Sequence, residues 1–252
     1  MLSLLRAFTA VALLALGTTA ALAAGHQAQR TVLVTGATGQ TGQLVVAELL
    51  RLGFTVRGLI RSREDAELVQ DVNYFLGDVT EAATLKKPMQ DVDAVVSTVG
   101  ARFPIGSNGF RAVDWEGNKA LIDAAKAAGV EHYVLLSAGS AGRDGIPFSW
   151  SISPYPWKAK AEAYLRNSGL TYTIVAAGGL TDEPLGQLGM LLAPRSGYET
   201  GQISRADLAT LLAACVDNPA AQGKTFTAIN TTTADLSAWR GRLGELPDDS
   251  RR

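Results

Sequence analysis

The sequence predicts an α/β fold, a doubly wound parallel sheet with helices on both faces. Three observations predict it. Short β-branched runs alternate with longer stretches of helical spacing between residues 31 and 177. The helical stretches stop on glycines, at Gly53, Gly129 and Gly169. The first strand runs straight into a glycine-rich turn that opens a helix. Strands alternating with helices in this way argue for βαβ units.

Each element has its own signal. TVLVT (31–35) reads as a buried strand, and QTGQLVVAELLRLG (40–53) has helical spacing. FTVRGLI (54–60) is strand-like, 64–69 a short helix and VNYFLG (72–77) a strand. TEAATLKKPM reads as a helix start with Thr80 at its cap, and DAVVSTVG (93–100) as a strand. VDWEGNKALIDAAKAAG (113–129) is a long helix and HYVLLSA (132–138) a strand. WKAKAEAYLRNSG (157–169) is a helix and TYTIVAA (171–177) a strand. Residues 178–202 are rich in glycine and proline and read as a loop or lid. SRADLATLLAACVDNP is then a helix, KTFTAIN (224–230) a strand and LSAWRGRLGEL a last helix. In SRADLA, Arg205 and Asp207 are expected to cap and anchor their helix.

Composition narrows the function classes. The 252 residues are 47% hydrophobic, enough for a buried core. Lysine and arginine total 23 against 24 acids, a net charge of -1, which gives no support to a nucleic-acid partner. The single cysteine, Cys215, excludes an intramolecular disulfide and sits in an apolar helical run. The two histidines, His26 and His132, lack companions at metal-ligand spacing, so no metal site is expected. Residues 1–23 are of another kind. One arginine precedes a long uncharged run ending in a small-x-small site at Ala21-Leu22-Ala23. This reads as a signal peptide and implies export to the periplasm or outside. An uncleaved membrane anchor and an organellar leader are the alternatives. The folded domain is expected over residues 30–252.

The strongest motif is TVLVTGATGQTGQLVV. Gly36, Gly39 and Gly42 follow a strand and open a helix, with Thr38, Gln40 and Thr41 between them. That order gives a tight turn, close backbone approach to a pyrophosphate and close helix–strand packing. The helix start offers unpaired N–H groups and a positive dipole end to phosphates. The second strand ends in Arg61-Ser62-Arg63, with no acid before Glu64. An acid there would bind ribose hydroxyls, whereas a guanidinium suits a 2′-phosphate. Arg61 and Arg63 therefore point to NADP rather than NAD. Asp78, after the third strand, is placed to touch the adenine. Ser97, Thr98, Val99 and Gly100, after the fourth, are expected along the adenosine side of the groove.

At this point the residues resemble a known family. GATGQTG, LGDVT, VDWEGNKALIDAAKAAGV, LLSA, WKAKAEAYLRNSGLTYTIVAAGGL and ISRADLA are similar to atypical short-chain dehydrogenase/reductases, in the NmrA-like NAD(P)-binding branch. The resemblance covers nearly all of the chain after about residue 30. It implies a Rossmann-type domain, a small C-terminal substrate region at about 178–252, and bound NADP or NAD. It also implies that Lys158 reaches the nicotinamide ribose. Two departures stand out. The family often carries an arginine where this chain has Ala176, and the tyrosine that many relatives place four residues before the lysine is replaced by Pro154.

The proton donor is therefore open. Tyr155 lies three residues before Lys158, but Pro156 fits best as the first helical residue, which leaves Tyr155 at or before the cap. It either donates a proton or packs on the groove. Ser137, at the end of the fifth strand, either bonds a substrate carbonyl or is structural. Phe103, Phe110 and Phe148 fall in loops after strands, where they either line a flat, aromatic substrate or simply pack. Trp115 and Asn118 are expected to fix a neighbouring loop. Three functions follow from the resemblance: a reductase of a small flat acceptor such as a quinone or flavin, a cofactor-bound redox sensor or scaffold without turnover, and an enzyme akin to nucleotide-sugar epimerases.

Overall fold

The structure is a computed structural model and describes residues 29–64, 69–142 and 152–251. The leader, Phe148 and most of the short helix expected at 64–69 lie outside the described residues. At the centre of the main sheet, β1 (Thr31–Thr35) pairs in parallel with β2 (Thr55–Ile60) and β4 (Ala94–Ser97). Beyond β2 lies β3 (Asn73–Leu76). Beyond β4 come β5 (His132–Ala138), β6 (Tyr172–Ala177) and β10 (Lys224–Thr231), all parallel. The edge strand β8 (Gly189–Pro194) is antiparallel to β10. The order of the first six strands, β3-β2-β1-β4-β5-β6, is that of doubly wound dinucleotide-binding sheets. The expected Rossmann-type architecture is present.

Alternation along the strands sorts side chains to two faces. Val32 and Val34 turn to a core shared with α1 (Gln40–Arg51), α4 (Arg205–Cys215) and α5 (Trp239–Glu245). Leu33, Val95, Leu135 and Ile174 turn to a second core under α2 (Asn118–Ala128) and α3 (Tyr155–Arg166). Each such fully buried leucine or isoleucine contributes about 1.5–3 kcal/mol. Ser204 caps α4 by accepting from the Asp207 amide. Asp207 also holds the Gly186 amide and the Asn230 side chain, and Arg205 pairs with Asp182. These two residues anchor the helix as expected.

The structure corrects four boundaries. The helix expected after Thr80 is only a 3-10 turn over Ala82–Leu85, because Pro88 bars its continuation. Thr80 does not cap that turn. Its amide and hydroxyl both donate to Asp78 Oδ1 at 2.8 Å. The long helix begins earlier than residue 113, as a π-helical segment Arg111–Gly117 that continues into α2. α3 starts at Tyr155, with Pro154 as its cap and Pro156 second; an early helical position has no N–H partner to lose. Finally, 178–202 is not simply a loop. It holds β8 and β7 (Gly179–Thr181), which pairs with β9 (Gln202–Ser204). The apolar stretch Met190–Leu192 explains β8: both named side chains are buried in the first core.

Two predictions follow. Gly42 packs α1 onto the turn so closely that a Cβ there would stand 2.0 Å from the Gly36 carbonyl oxygen. Backbone cannot yield by that much, so Gly42→Val should cost more than about 2 kcal/mol of stability by overpacking; denaturant titration checks it. His132 is buried, with Nδ1 2.9 Å from the Val216 carbonyl and Nε2 3.0 Å from the Thr173 hydroxyl. Burial above all, helped by the Arg30 charge, holds its pKa below the ordinary 6.5. The unfolded chain therefore takes up the proton first. The contribution is whole above about pH 6.5 and is lost as pH falls toward the folded value. The melting temperature should drop between about pH 7 and 5, and His132→Gln should flatten that drop. Equal slopes for both proteins would contradict it.

Candidate nucleotide crevice and active site

The C-terminal ends of β1, β2 and β4 border a crevice of about 390 Å³. Gly36, Thr38 and Gly39 form one wall, and Arg61, Asp78 and Val79 lie along another. Thr98, Val99 and Gly100 complete it, together with Arg102 and Phe103. The amide of Gly39 bonds the Gly36 carbonyl at 2.9 Å and closes the turn. Thr98 ties the end of β4 to that turn, its hydroxyl donating to the Thr35 carbonyl at 2.9 Å. Asp78 is held by its own two bonds from Thr80.

Most of the expected cofactor residues thus converge. Gln40, Thr41 and Gly42 open α1 behind the crevice: Gln40 is exposed, while Thr41 and Gly42 are buried in packing. Arg61 lines the crevice, whereas Arg63 is exposed and does not. Ser97 is a correction. It is fully buried, and its hydroxyl donates to Asn118 Oδ1 at 3.1 Å, so it supports the groove from behind instead of lining it. Phe103 is 68% exposed and borders the nucleotide crevice, and Phe110 caps the π-helical segment.

The π-helical segment explains where Lys158 goes. A wide turn leaves backbone carbonyls without the usual helical partners, and such segments recur at functional sites. Here Asn118 Nδ2 donates to the carbonyls of Val113 and Asp114, at 3.2 Å each. Trp115 meets the Tyr164 ring edge-on, centroids 5.7 Å apart. Both were expected to fix a neighbouring loop; instead Asn118 holds the π-helical segment and the end of β4, and Trp115 packs on α3. The segment turns Asp114 inward until its side chain is 1% exposed. Lys158 Nζ lies 2.8 Å from its Oδ1, and the Ala101 amide donates to its Oδ2 at 3.2 Å. The pair meets the crevice at Gly100, where an added Cβ would be 3.6 Å from both Lys158 Nζ and Asp114 Oδ1. Lys158 is thus held at the far end of the nucleotide groove.

Of the two roles expected of Ser137, its geometry matches the structural one. It is buried, and its hydroxyl donates to Glu162 Oε1 at 2.5 Å. Glu162 is itself buried and paired with Arg195 and, at 3.5 Å, with Arg166. The hydroxyl belongs to that network. Tyr155 is half-buried at the first turn of α3, three residues before Lys158, so the helix does set its direction. Ala176 is fully buried beside Ser137 in register. The sequence reading missed Asp114, Glu162 and Arg195. Glu162 had a signal, since it lies four residues after Lys158 and shares its face. Asp114 and Arg195 had none.

The residues fit a dinucleotide: backbone at the glycine turn, no side chain at Gly39 or Gly100 to fill the groove, a guanidinium at its adenosine end and an ammonium at the other. Known proteins agree. A model of NAD(P)H-binding domains matches residues 36–219. Sanguinarine reductase of Eschscholzia californica is 31% identical over 261 residues, spanning 87% of this chain and 93% of that one. An uncharacterized chloroplastic protein of Arabidopsis thaliana, At2g37660, is 38% identical over 207 residues, 71% of this chain. The chain spans 63% of that relative's length and 49% of the chloroplastic protein TIC 62 of rice. Among solved structures, the oxidoreductase ylbE of Lactococcus lactis superposes with a TM-score of 0.71 at 23% identity, covering 84% of this chain and 96% of that one. On the fold, the glycine turn and the family match together, this chain belongs to the NAD(P)H-binding family of atypical, NmrA-like short-chain dehydrogenase/reductases.

Proposed function

We propose that the chain is an NADP(H)-dependent reductase of a small, flat acceptor such as a quinone or flavin. The observation that carries this reading is the Lys158–Asp114 pair at the end of the groove, together with the commitment of Ser137 to Glu162. A reduced nicotinamide supplies a hydride when bound. Lys158 holds the nicotinamide ribose, and Asp114 orients that lysine. Tyr155 is the one residue of the expected proton-donor set left without a committed role, and the reading gives it a minor one. An acceptor that spreads negative charge over a conjugated ring needs little help from a protein acid. The C-terminal region, about 178–252, supplies the acceptor side.

Arg61 supports NADP over NAD, since it borders the crevice at the end of β2 where a 2′-phosphate would lie. Sanguinarine reductase, spanned over 93% of its length, supports reduction of a small molecule as the reaction class. The chloroplastic relatives favour the organellar alternative for the leader over export. Among the described residues no helix is long and apolar enough to cross a membrane.

Four outcomes are expected. Arg61→Ala should lower the preference for NADPH over NADH about ten-fold, measured by fluorescence titration with each cofactor. Lys158→Ala should raise the NADPH Kd at least about ten-fold, and it should also destabilise the chain by leaving Asp114 buried and unpaired. Tyr155→Phe should alter turnover by less than about three-fold; a large loss with normal NADPH affinity would make Tyr155 the acid. Purified chain offered NADPH with a panel of quinones and flavins should oxidise it. Tight binding without oxidation would replace the reductase reading with a non-catalytic sensor.

A further inference from the structure

Arg195 opens a 3-10 turn, Arg195–Gly197, directly after β8. The register of β8 on β10, with Ala193 opposite Thr227 and Pro194 opposite Phe226, fixes where that turn begins. From there the guanidinium reaches back to the C-terminal end of β5. One terminal nitrogen shares its two hydrogens among the carbonyls of Ala138 (2.7 Å), Gly139 (3.2 Å) and Ala141 (3.0 Å). The other pairs with Glu162, whose same oxygen accepts from Ser137. Three residues on, the Tyr198 ring lies against Gly139, where a Cβ would stand 2.4 Å from the ring carbons. One short segment, 195–198, therefore holds the turn after β5 from two directions.

That turn occupies a functional position. In open α/β sheets ligands bind outside the carboxyl ends of the strands. β5 lies next to β4, whose end carries Gly100 and meets Lys158. The turn 138–141 thus continues the nucleotide groove toward the side where an acceptor must approach. Glu162 lies one helical turn beyond Lys158, so the same guanidinium also fixes α3. An ion pair alone would be served by lysine. Three carbonyls and a carboxylate at once require the planar fork of arginine.

We infer that Arg195 is a positioning residue for the acceptor: it sets the Ala138–Ala141 turn against α3 and so shapes the wall that the acceptor meets beside Lys158. What binds there rests on the proposed reductase reading; the clamp itself does not.

The test uses the full-length chain, Arg195→Lys, and the double variant Arg195→Met/Glu162→Gln. The double variant removes both charges, so an unpaired buried carboxylate cannot explain its behaviour. Three readouts are taken: amide hydrogen exchange, NADPH affinity, and turnover of NADPH with 2-methyl-1,4-naphthoquinone. The amides of Gly139 and Ala141 are hydrogen-bonded at 2.7 and 2.9 Å and report on the turn. Both variants should exchange at least about five-fold faster over 138–142 and unchanged over 36–42. NADPH affinity should stay within about two-fold, while KM for the quinone rises at least about five-fold, more than kcat falls. Unchanged exchange over 138–142 in both variants would overturn the inference. So would parallel changes in exchange across the whole sheet and in NADPH affinity, which mark a general structural role. If the parent oxidises no NADPH, the reductase reading fails, and the exchange comparison still decides whether Arg195 sets the turn.

Discussion

Burying an unpaired charge is costly, and Asp114, with 1% of its side chain exposed, is paired with Lys158. Removing either member of such a buried pair typically costs about 3–5 kcal/mol, because the other is left unpaired. That constraint joins three elements. The π-helical segment must turn Asp114 inward, α3 must bring Lys158 to it, and the loop after β4 must pass close enough for the Ala101 amide to bond it. The groove between β1 and β4 then ends at an ammonium. Arg61 at one end, the glycine turn along one wall and this cation at the other end define a site suited to an extended anionic ligand.

A second buried carboxylate works on the same helix. Glu162, one turn beyond Lys158, is neutralised by Arg195 and Arg166 and takes the Ser137 hydroxyl. α3 is therefore pinned twice, toward the nucleotide through Lys158 and toward the C-terminal region through Glu162. Buried ion pairs of this kind add little net stability against an apolar alternative, but they fix where a helix lies. Here the register of α3 decides where Tyr155 and Lys158 meet a ligand. The edge strand β8 matters for the same reason. Without its antiparallel pairing to β10, Arg195 would have no fixed origin.

The alternating pattern and the glycine turn made the sheet and the nucleotide side legible in the sequence, because both depend on local periodicity and backbone space. Gly36, Gly39, Arg61, Asp78 and Thr98–Gly100 were all assigned to one groove, and all line it. What local reading missed depends on long-range geometry. Ser97 and Thr98 are neighbours at a strand end, and only the pleat decides that one faces Asn118 and the other the crevice. Ser137 stood open between a substrate contact and a structural hydroxyl, and only the fold shows that Glu162 reaches it from α3. The π-helical turn that buries Asp114 leaves no sequence signature. The absence of arginine at Ala176 also reads differently in three dimensions. Ala176 sits beside Ser137, and the guanidinium that meets Ser137's partner arrives from Arg195, in the turn after β8.

The most direct measurement is a crystal structure of the chain with NADPH bound. The account predicts a dinucleotide laid from the Gly36–Gly39 turn past Gly100, its 2′-phosphate near Arg61, with Lys158 Nζ bonded to the nicotinamide ribose while still paired with Asp114. A groove without nucleotide at saturating NADPH, or a bound nucleotide with Lys158 turned away from its ribose, would contradict it.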